Sequence, residues 1–439
     1  MTDTSAVSQD SGTAAVSRQD LRGAMFASVV GNTLEWYDFF IYGTASALVF
    51  GQLFFPVGED PLINTLVAFV GYSVGFFARP LGGLVFGHVG DRFGRKAALV
   101  WTLTLMGIAT FAMGLLPTYQ TAGMLAPVLL VSLRILQGIA TGGEWGGGVL
   151  IATENAPPAR RGFFGAWTQS GVGFGFVLAS MSFYFVQKLP KEDMLDWGWR
   201  LPFLASFLIF IVGLIVRFRL KESRDFRAAE ESHKIAQSPV RDLIRNHPRV
   251  LLLGVGVRLA EQGGSHLMIT FSVAYASFVG APIDMMLLAI TVGMIVDSLM
   301  MPVFGALSDR IGRHRVYAFG AISLALFAYP FFLMLGSGST LLIMAAIIFG
   351  TGICHAAMVG VQPALFTELF NTRVRYSGLS IVHEVSSIIV GAAPLIATAL
   401  FKAYRSPVPL AIYMGVLCAI SAVSVMMLRK DRNVGAVTQ

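Results

Sequence analysis

Long apolar runs separated by short polar breaks make up most of this chain. A helix needs about 20 apolar residues to cross the hydrocarbon layer of a bilayer. Twelve stretches reach about that length, at roughly 23–50, 62–89, 97–116, 124–152, 162–186, 201–219, 249–278, 285–307, 315–335, 340–367, 376–401 and 408–428. The connectors are mostly short. The longest polar interruption, 220–248, is mixed in charge, partly amphipathic, and falls between the sixth and seventh runs. The pattern predicts an all-α membrane protein of twelve transmembrane helices in two six-helix bundles. The expected parts are a tail at 1–22, an N-terminal bundle at 23–219, a linker at 220–248, a C-terminal bundle at 249–428 and a second tail at 429–439. The opening residues are polar, lack the apolar core of a signal peptide and read as a disordered tail.

The two halves carry the same loop. Gly87, Asp91, Arg92, Gly94 and Arg95 return as Gly305, Asp309, Arg310, Gly312 and Arg313, each 218 positions later. Parallel repeats with a binding site between them are a known plan of transporters. Asp91 and Asp309 stand just before the third and ninth runs, where a carboxylate caps exposed helix amides. Gly94 and Gly312 permit a tight turn there. A second pair recurs: Glu154 precedes Arg161, and Glu368 precedes Arg375, both by seven residues. Each is expected to form an ion pair between adjacent helices at the inner face. Exposed pairs contribute about 0–1 kcal/mol, which suits a contact broken in every cycle.

Composition narrows the class. Of 439 residues 55% are hydrophobic and 13% charged, against roughly 25% charged in soluble domains. The balance of 32 Lys and Arg against 25 Asp and Glu would fit nucleic acid, but its distribution does not. With the N-terminus inside, 24 of the 32 basic residues fall in inner loops and tails, as the positive-inside rule requires. The excess sets topology, with both termini cytoplasmic, and favours anionic lipid over nucleic acid. Cys354 and Cys418 lie in apolar runs, with no disulfide framework or metal spacing.

Ionisable residues at membrane depth cost at least about 2.5–3.5 kcal/mol each, so each marks function. The first run holds Glu35, Trp36, Tyr37 and Asp38, with the two carboxylates on one helical face. Close carboxylates favour sharing a proton, and Glu35 and Asp38 are the expected proton carriers. The fourth run holds Arg134, Gln137, Glu144 and Trp145. Arg134 cannot lose its proton, so it needs a carboxylate or an anionic substrate. In the seventh run Arg258 and Glu261 are one turn apart, and either they pair with each other or a substrate carboxylate competes with Glu261 for Arg258; Gln262 and His266 follow. The eighth run has Asp297 and the eleventh His383 and Glu384. His355 in the tenth reads as a packed polar residue.

The repeated loop resembles the signature of the major facilitator superfamily, which implies a cytoplasmic latch that stabilises the outward-facing state. Arg134 with Gln137 and Gly138 resembles the fourth-helix motif that the superfamily ties to proton coupling. Together with Leu34 to Phe39, Arg79-Pro80 ahead of Gly82 and Gly83, and Gly143-Glu144-Trp145, the chain is similar to the metabolite:proton symporter family. Within that family it is nearer the shikimate-type carriers than the betaine type. With the sequence ending soon after Arg432, the long coiled-coil tail of osmosensing betaine carriers is not expected. His383 and Glu384 depart from the uncharged polar residues expected at that place.

The resemblance implies import of a small organic acid or zwitterion with a proton, by a monomer in the bacterial inner membrane. Glu35, Asp38, Arg134 and Glu144 are the expected proton-coupling set. Trp36, Tyr37, Arg79, Arg134, Gln137, Trp145, Arg258, Glu261, Gln262, His383 and Glu384 are the expected substrate-binding set. The latch set adds Glu154, Arg161, Glu368 and Arg375 to the loop residues. No cofactor or metal is expected beyond the coupling proton. No phosphate-binding loop argues for an ATP-driven pump, and no nucleophile–base set argues for an enzyme. A proton-coupled antiporter exporting drugs or metabolites is the alternative. A uniporter and a non-transporting sensor are further rivals.

Overall fold

The computed structural model describes residues 18–55, 61–219, 222–231 and 239–430. Most of both expected tails and parts of the linker lie outside the described residues. Among the described residues every regular element is a helix. The first half contains α1 (Arg18–Ala45), α2 (Pro61–Arg92), α3 (Arg95–Gly114), α4 (Leu125–Asn155), α5 (Arg161–Val186) and α6 (Arg200–Arg219). The linker holds two short helices, α7 (Arg224–Glu231) and α8 (Pro239–Asn246). The second half contains α9 (Pro248–Ser265), α10 (Ile283–Ile311), α11 (Arg313–Leu335), α12 (Thr340–Phe349), α13 (Gln362–Leu369), α14 (Arg375–Gly391), α15 (Ala393–Tyr404) and α16 (Val408–Lys430).

Nine helical stretches among the described residues are long and apolar enough to cross a membrane, where twelve were expected. α1, α2 and α9 are not among them. The hydropathy of α1 is lowered by Glu35 and Asp38 and that of α9 by Arg249, Arg258 and Glu261. Glu35, Asp38, Arg258 and Glu261 are residues the sequence marks as functional. The apolar residues that face outward tell the same story. Leu326, Leu341 and Leu395 are 76%, 77% and 73% exposed, while Arg95 and Asp297 are 0% and 1% exposed. This inverts a soluble protein and fits a hydrocarbon surround.

Within the first half α2 packs on α4, α1 on α5, and α3 on α4 and α6; within the second, α16 packs on α9 and α11. The most extensive contacts joining the halves are α5 against α10 and α2 against α14, with smaller ones between α4 and α14 and between α13 and both α4 and α5. Glycine sets how closely α2 and α4 approach. A Cβ on Gly142 would stand 1.9 Å from the Arg79 carbonyl oxygen, inside any van der Waals limit. The close crossing fixes Arg79 at the seam. Wider turns replace regular helix at Ser46–Phe50, His266–Phe271 and Gly350–His355. Such π-turns are frequent at functional sites.

Candidate functional site

The seam between the halves is built from charge. On α2, Arg79 stands between two carboxylates: its NH2 is 3.4 Å from Glu35 Oε1, and its Nε donates to Glu384 Oε2 at 2.8 Å. Glu35 belongs to the first half and Glu384 to the second. Glu384 also accepts from the neighbouring His383 Nδ1 at 2.8 Å. The His383 ring lies 4.4 Å from the Trp145 ring, and Trp145 donates through Nε1 to Gln169. Arg258 rests its guanidinium 5.2 Å from the centre of the same indole. It donates to Ser386 at 3.1 Å and Gln362 at 2.6 Å, and lies 3.4 Å from Glu261. Gln262 donates to Ser387 on the same face. All these charged groups are at least nine-tenths buried, where an unpaired ion would be costly and each has a partner instead.

A second group occupies the first half alone. Arg134 donates to Gln137 Oε1 at 2.5 Å, Gln137 to Thr110 at 2.8 Å, and Thr110 to Asp38 at 2.6 Å. Arg134 also stacks 4.4 Å over the Tyr42 ring. A small cavity of about 20 Å3, room for little more than one water, lies among Glu35, Arg79, Arg134, Gln137 and Thr141. Glu35 lines a second, of about 10 Å3, beside Glu144 and Trp145. Neither cavity has room for an organic solute in this conformation.

Several expectations are corrected by these positions. Glu35 and Asp38 do not act on one another; Glu35 turns to Arg79 and Asp38 to Thr110. Tyr37 points away from the seam and donates to the Pro202 carbonyl at 2.8 Å. Trp36 packs on Phe39 and Phe40. Glu144 forms an ion pair with Arg217 of α6, a partner the sequence did not suggest because Arg217 reads as an inner-end basic residue. His355 is a member of the charged network, 3.0 Å from Asp297.

The repeated loops also behave differently from their expected local role. Asp91 accepts from the backbone amides of Tyr376 and Ser377 at 3.0 and 2.8 Å. Asp309 accepts from those of Gly162 and Phe163, both at 2.9 Å. Each aspartate caps a helix of the opposite half, α14 or α5, rather than the helix that follows it. Arg95 and Arg313 hold these carboxylates at 3.0 and 2.5 Å. Gly94 and Gly312 turn with φ of 106° and 100°, a region open to glycine at little cost. The ion pairs exchange partners too. Glu154 pairs with Arg375 at 2.8 Å and Arg95 at 3.6 Å, and Glu368 with Arg313 at 3.2 Å. Arg161 meets Asp225 of the linker at 3.5 Å, and Asp225 also reaches Arg375 at 2.9 Å. Glu222 caps the amides of Arg95 and Lys96, both at 3.0 Å. Arg92 and Arg310 stand outside these pairs, with Arg92 stacked on Phe93.

Known proteins match along the whole chain. Residues 24–250 match the sugar (and other) transporter family and residues 252–439 the major facilitator superfamily. The shikimate transporter of Escherichia coli (strain K12) is 38% identical over 97% of this chain and 98% of its own. The inner membrane metabolite transport protein YhjE of the same organism is 37% identical over 93% of this chain and 94% of its own. The proline/betaine transporter of that organism is 32% identical over 94% of this chain and 84% of its own. A solved proton:xylose symporter, XylE bound to 6-bromo-6-deoxy-D-glucose, superposes with a TM-score of 0.75 at 14% identity, covering 94% of this chain and 96% of that one.

Proposed function

Because this chain belongs to the major facilitator superfamily of transporters, within the metabolite:proton symporter family, we propose that it imports a small organic acid together with a proton by alternating access. In this reading α1, α2 and α9 also cross the bilayer, giving twelve spans in two bundles of six with both termini cytoplasmic. The membrane is the bacterial inner membrane.

The observation that carries the proposal is Arg79 held between Glu35 of one half and Glu384 of the other. A cation shared by two carboxylates across a moving seam changes hands when either carboxylate takes a proton. Glu35 and Asp38 carry the proton, and Arg134 and Arg258 hold the substrate anion. Each of those arginines lies on an aromatic face, which fixes the guanidinium plane while its edge donates to a carboxylate. The surplus of buried acid supports proton transfer. Glu35, Asp38, Glu144, Glu261, Asp297 and Glu384 face Arg79, Arg134, Arg217 and Arg258, so protons must balance the remaining carboxylates. The latch at Asp91 and Asp309 closes the cytoplasmic end in the conformation described.

Substrate class is tested by thermal-shift binding across shikimate, 2-oxoglutarate, citrate, benzoate and betaine. Binding of one or more of the acids supports the proposal; binding of betaine alone refutes the anionic class. Direction is tested by the pH change when substrate is added to proteoliposomes. Symport makes the outer medium alkaline, and acidification would favour the antiporter.

A further inference from the structure

His355 ends the π-turn that follows α12 and is 7% exposed. Its Nδ1 lies 3.1 and 3.0 Å from the two carboxylate oxygens of Asp297 on α10. Its Nε2 lies 3.7 Å from Glu261 Oε1 on α9. That nitrogen is buried and has no hydrogen-bond partner. Two carboxylates therefore address one imidazole from its two nitrogens. The other titratable groups around the cluster are Arg258, 3.4 Å from Glu261, His266, beyond Glu261 at the end of α9, Tyr317 of α11, which donates to the Val257 carbonyl, and the adjacent Cys354. Gln362 donates to Glu261 Oε2 at 3.0 Å.

A neutral imidazole has one N–H and can donate to only one of the two acids; an imidazolium donates to both. The charges agree. Asp297 and Glu261 bring two negative charges and Arg258 one positive, which leaves one negative charge in a buried place. A buried surplus charge is balanced by a proton or a counter-ion.

We propose that Asp297, His355 and Glu261 form a proton-binding site in the second half, separate from Glu35 and Asp38 in the first. Loading it moves one proton from water onto the imidazole Nε2; no electrons move. An anion drawn to Arg258 adds negative charge beside the site and strengthens its hold on the proton. Linkage makes this reciprocal: the loaded site strengthens anion binding. That coupling rests on the symport reading above, whereas occupancy of the site does not. With a carrier site in each half, two protons accompany each solute.

Nitrogen NMR of full-length protein labelled with 15N-histidine tests occupancy. The ring signal lost in His355→Gln is expected to be an imidazolium at pH 7, and to become neutral in Asp297→Asn. A neutral His355 ring in the unaltered protein overturns the site. Coupling is tested in proteoliposomes loaded with shikimate, 2-oxoglutarate or citrate. In an imposed tenfold proton gradient, loss of one coupled proton lowers the accumulation ratio about tenfold. His355→Gln is expected to show that loss together with a weaker apparent affinity for the anion, while counterflow at saturating solute persists. Unchanged accumulation in His355→Gln overturns the second coupled proton and leaves symport standing. Accumulation by the unaltered protein that ignores a protonophore refutes symport, with occupancy still decided by the NMR signal.

Discussion

Asp91, the last acidic residue of α2, receives the backbone N–H of Ser377 at 2.8 Å across the boundary between the halves. Asp309 does the same in the opposite direction, receiving Gly162 at 2.9 Å. A repeated sequence thus becomes a reciprocal clasp. Two amide hydrogen bonds to each carboxylate, helped by the positive end of the helix they cap, hold the seam shut at this end.

Opening the clasp has a measurable signature. Asp91→Asn removes the charge and weakens its pair of bonds by about 1–3 kcal/mol. Spin labels at Phe93→Cys and Arg373→Cys would then report a shift toward longer distances, larger in the Asp91→Asn, Asp309→Asn double variant. An unchanged distribution would mean that the clasp does not set the conformational balance.

The exchanged ion pairs separate two alternatives by stability. Glu154 is buried between Arg375 and Arg95, so Glu154→Gln leaves each buried guanidinium with one carboxylate fewer, Asp225 or Asp91 remaining, at a cost of about 1–3 kcal/mol. Arg161 pairs with Asp225 at side-chain exposures of 21% and 26%, and Arg161→Ala should cost only about 0–1 kcal/mol. Thermal unfolding in detergent would show a large loss for the first and little for the second. Equal losses would restore the local Glu154–Arg161 pair that the sequence suggests.

Helix approach gives a further test. Gly142→Ala places a methyl group against the Arg79 carbonyl, and overpacking of this kind costs about 1–3 kcal/mol. Both melting temperature and uptake should fall. Gly148→Ala, whose added Cβ meets nothing within 4 Å, should leave both nearly unchanged. If the two variants behave alike, close crossing of α2 and α4 is not required.

What the sequence reveals here follows from distance along the chain. Helix positions, the loop repeat and the buried charges of α1, α4 and α9 are legible because hydropathy and spacing are local. Partners are not. Arg375 reads as the neighbour of Glu368, yet it meets Glu154, 221 positions away, because helix capping by Asp91 brings α14 to the first half. Arg217 looks like an ordinary basic residue at a helix end until α6 packs on α3 and brings it to Glu144. His355 looks isolated because its acids sit on α9 and α10, and only packing of those helices encloses it. The abundance of buried charge was readable; the pairing needed the fold.

The most direct test of coupling through the seam compares two modes of transport in the same proteoliposomes. Glu35→Gln and Asp38→Asn proteins are assayed for solute counterflow and for accumulation driven by an inward proton gradient. Counterflow should persist in both while the accumulation ratio falls, by about tenfold in an imposed tenfold proton gradient. If both variants concentrate solute as the unaltered protein does, these carboxylates do not carry the proton and the account is contradicted.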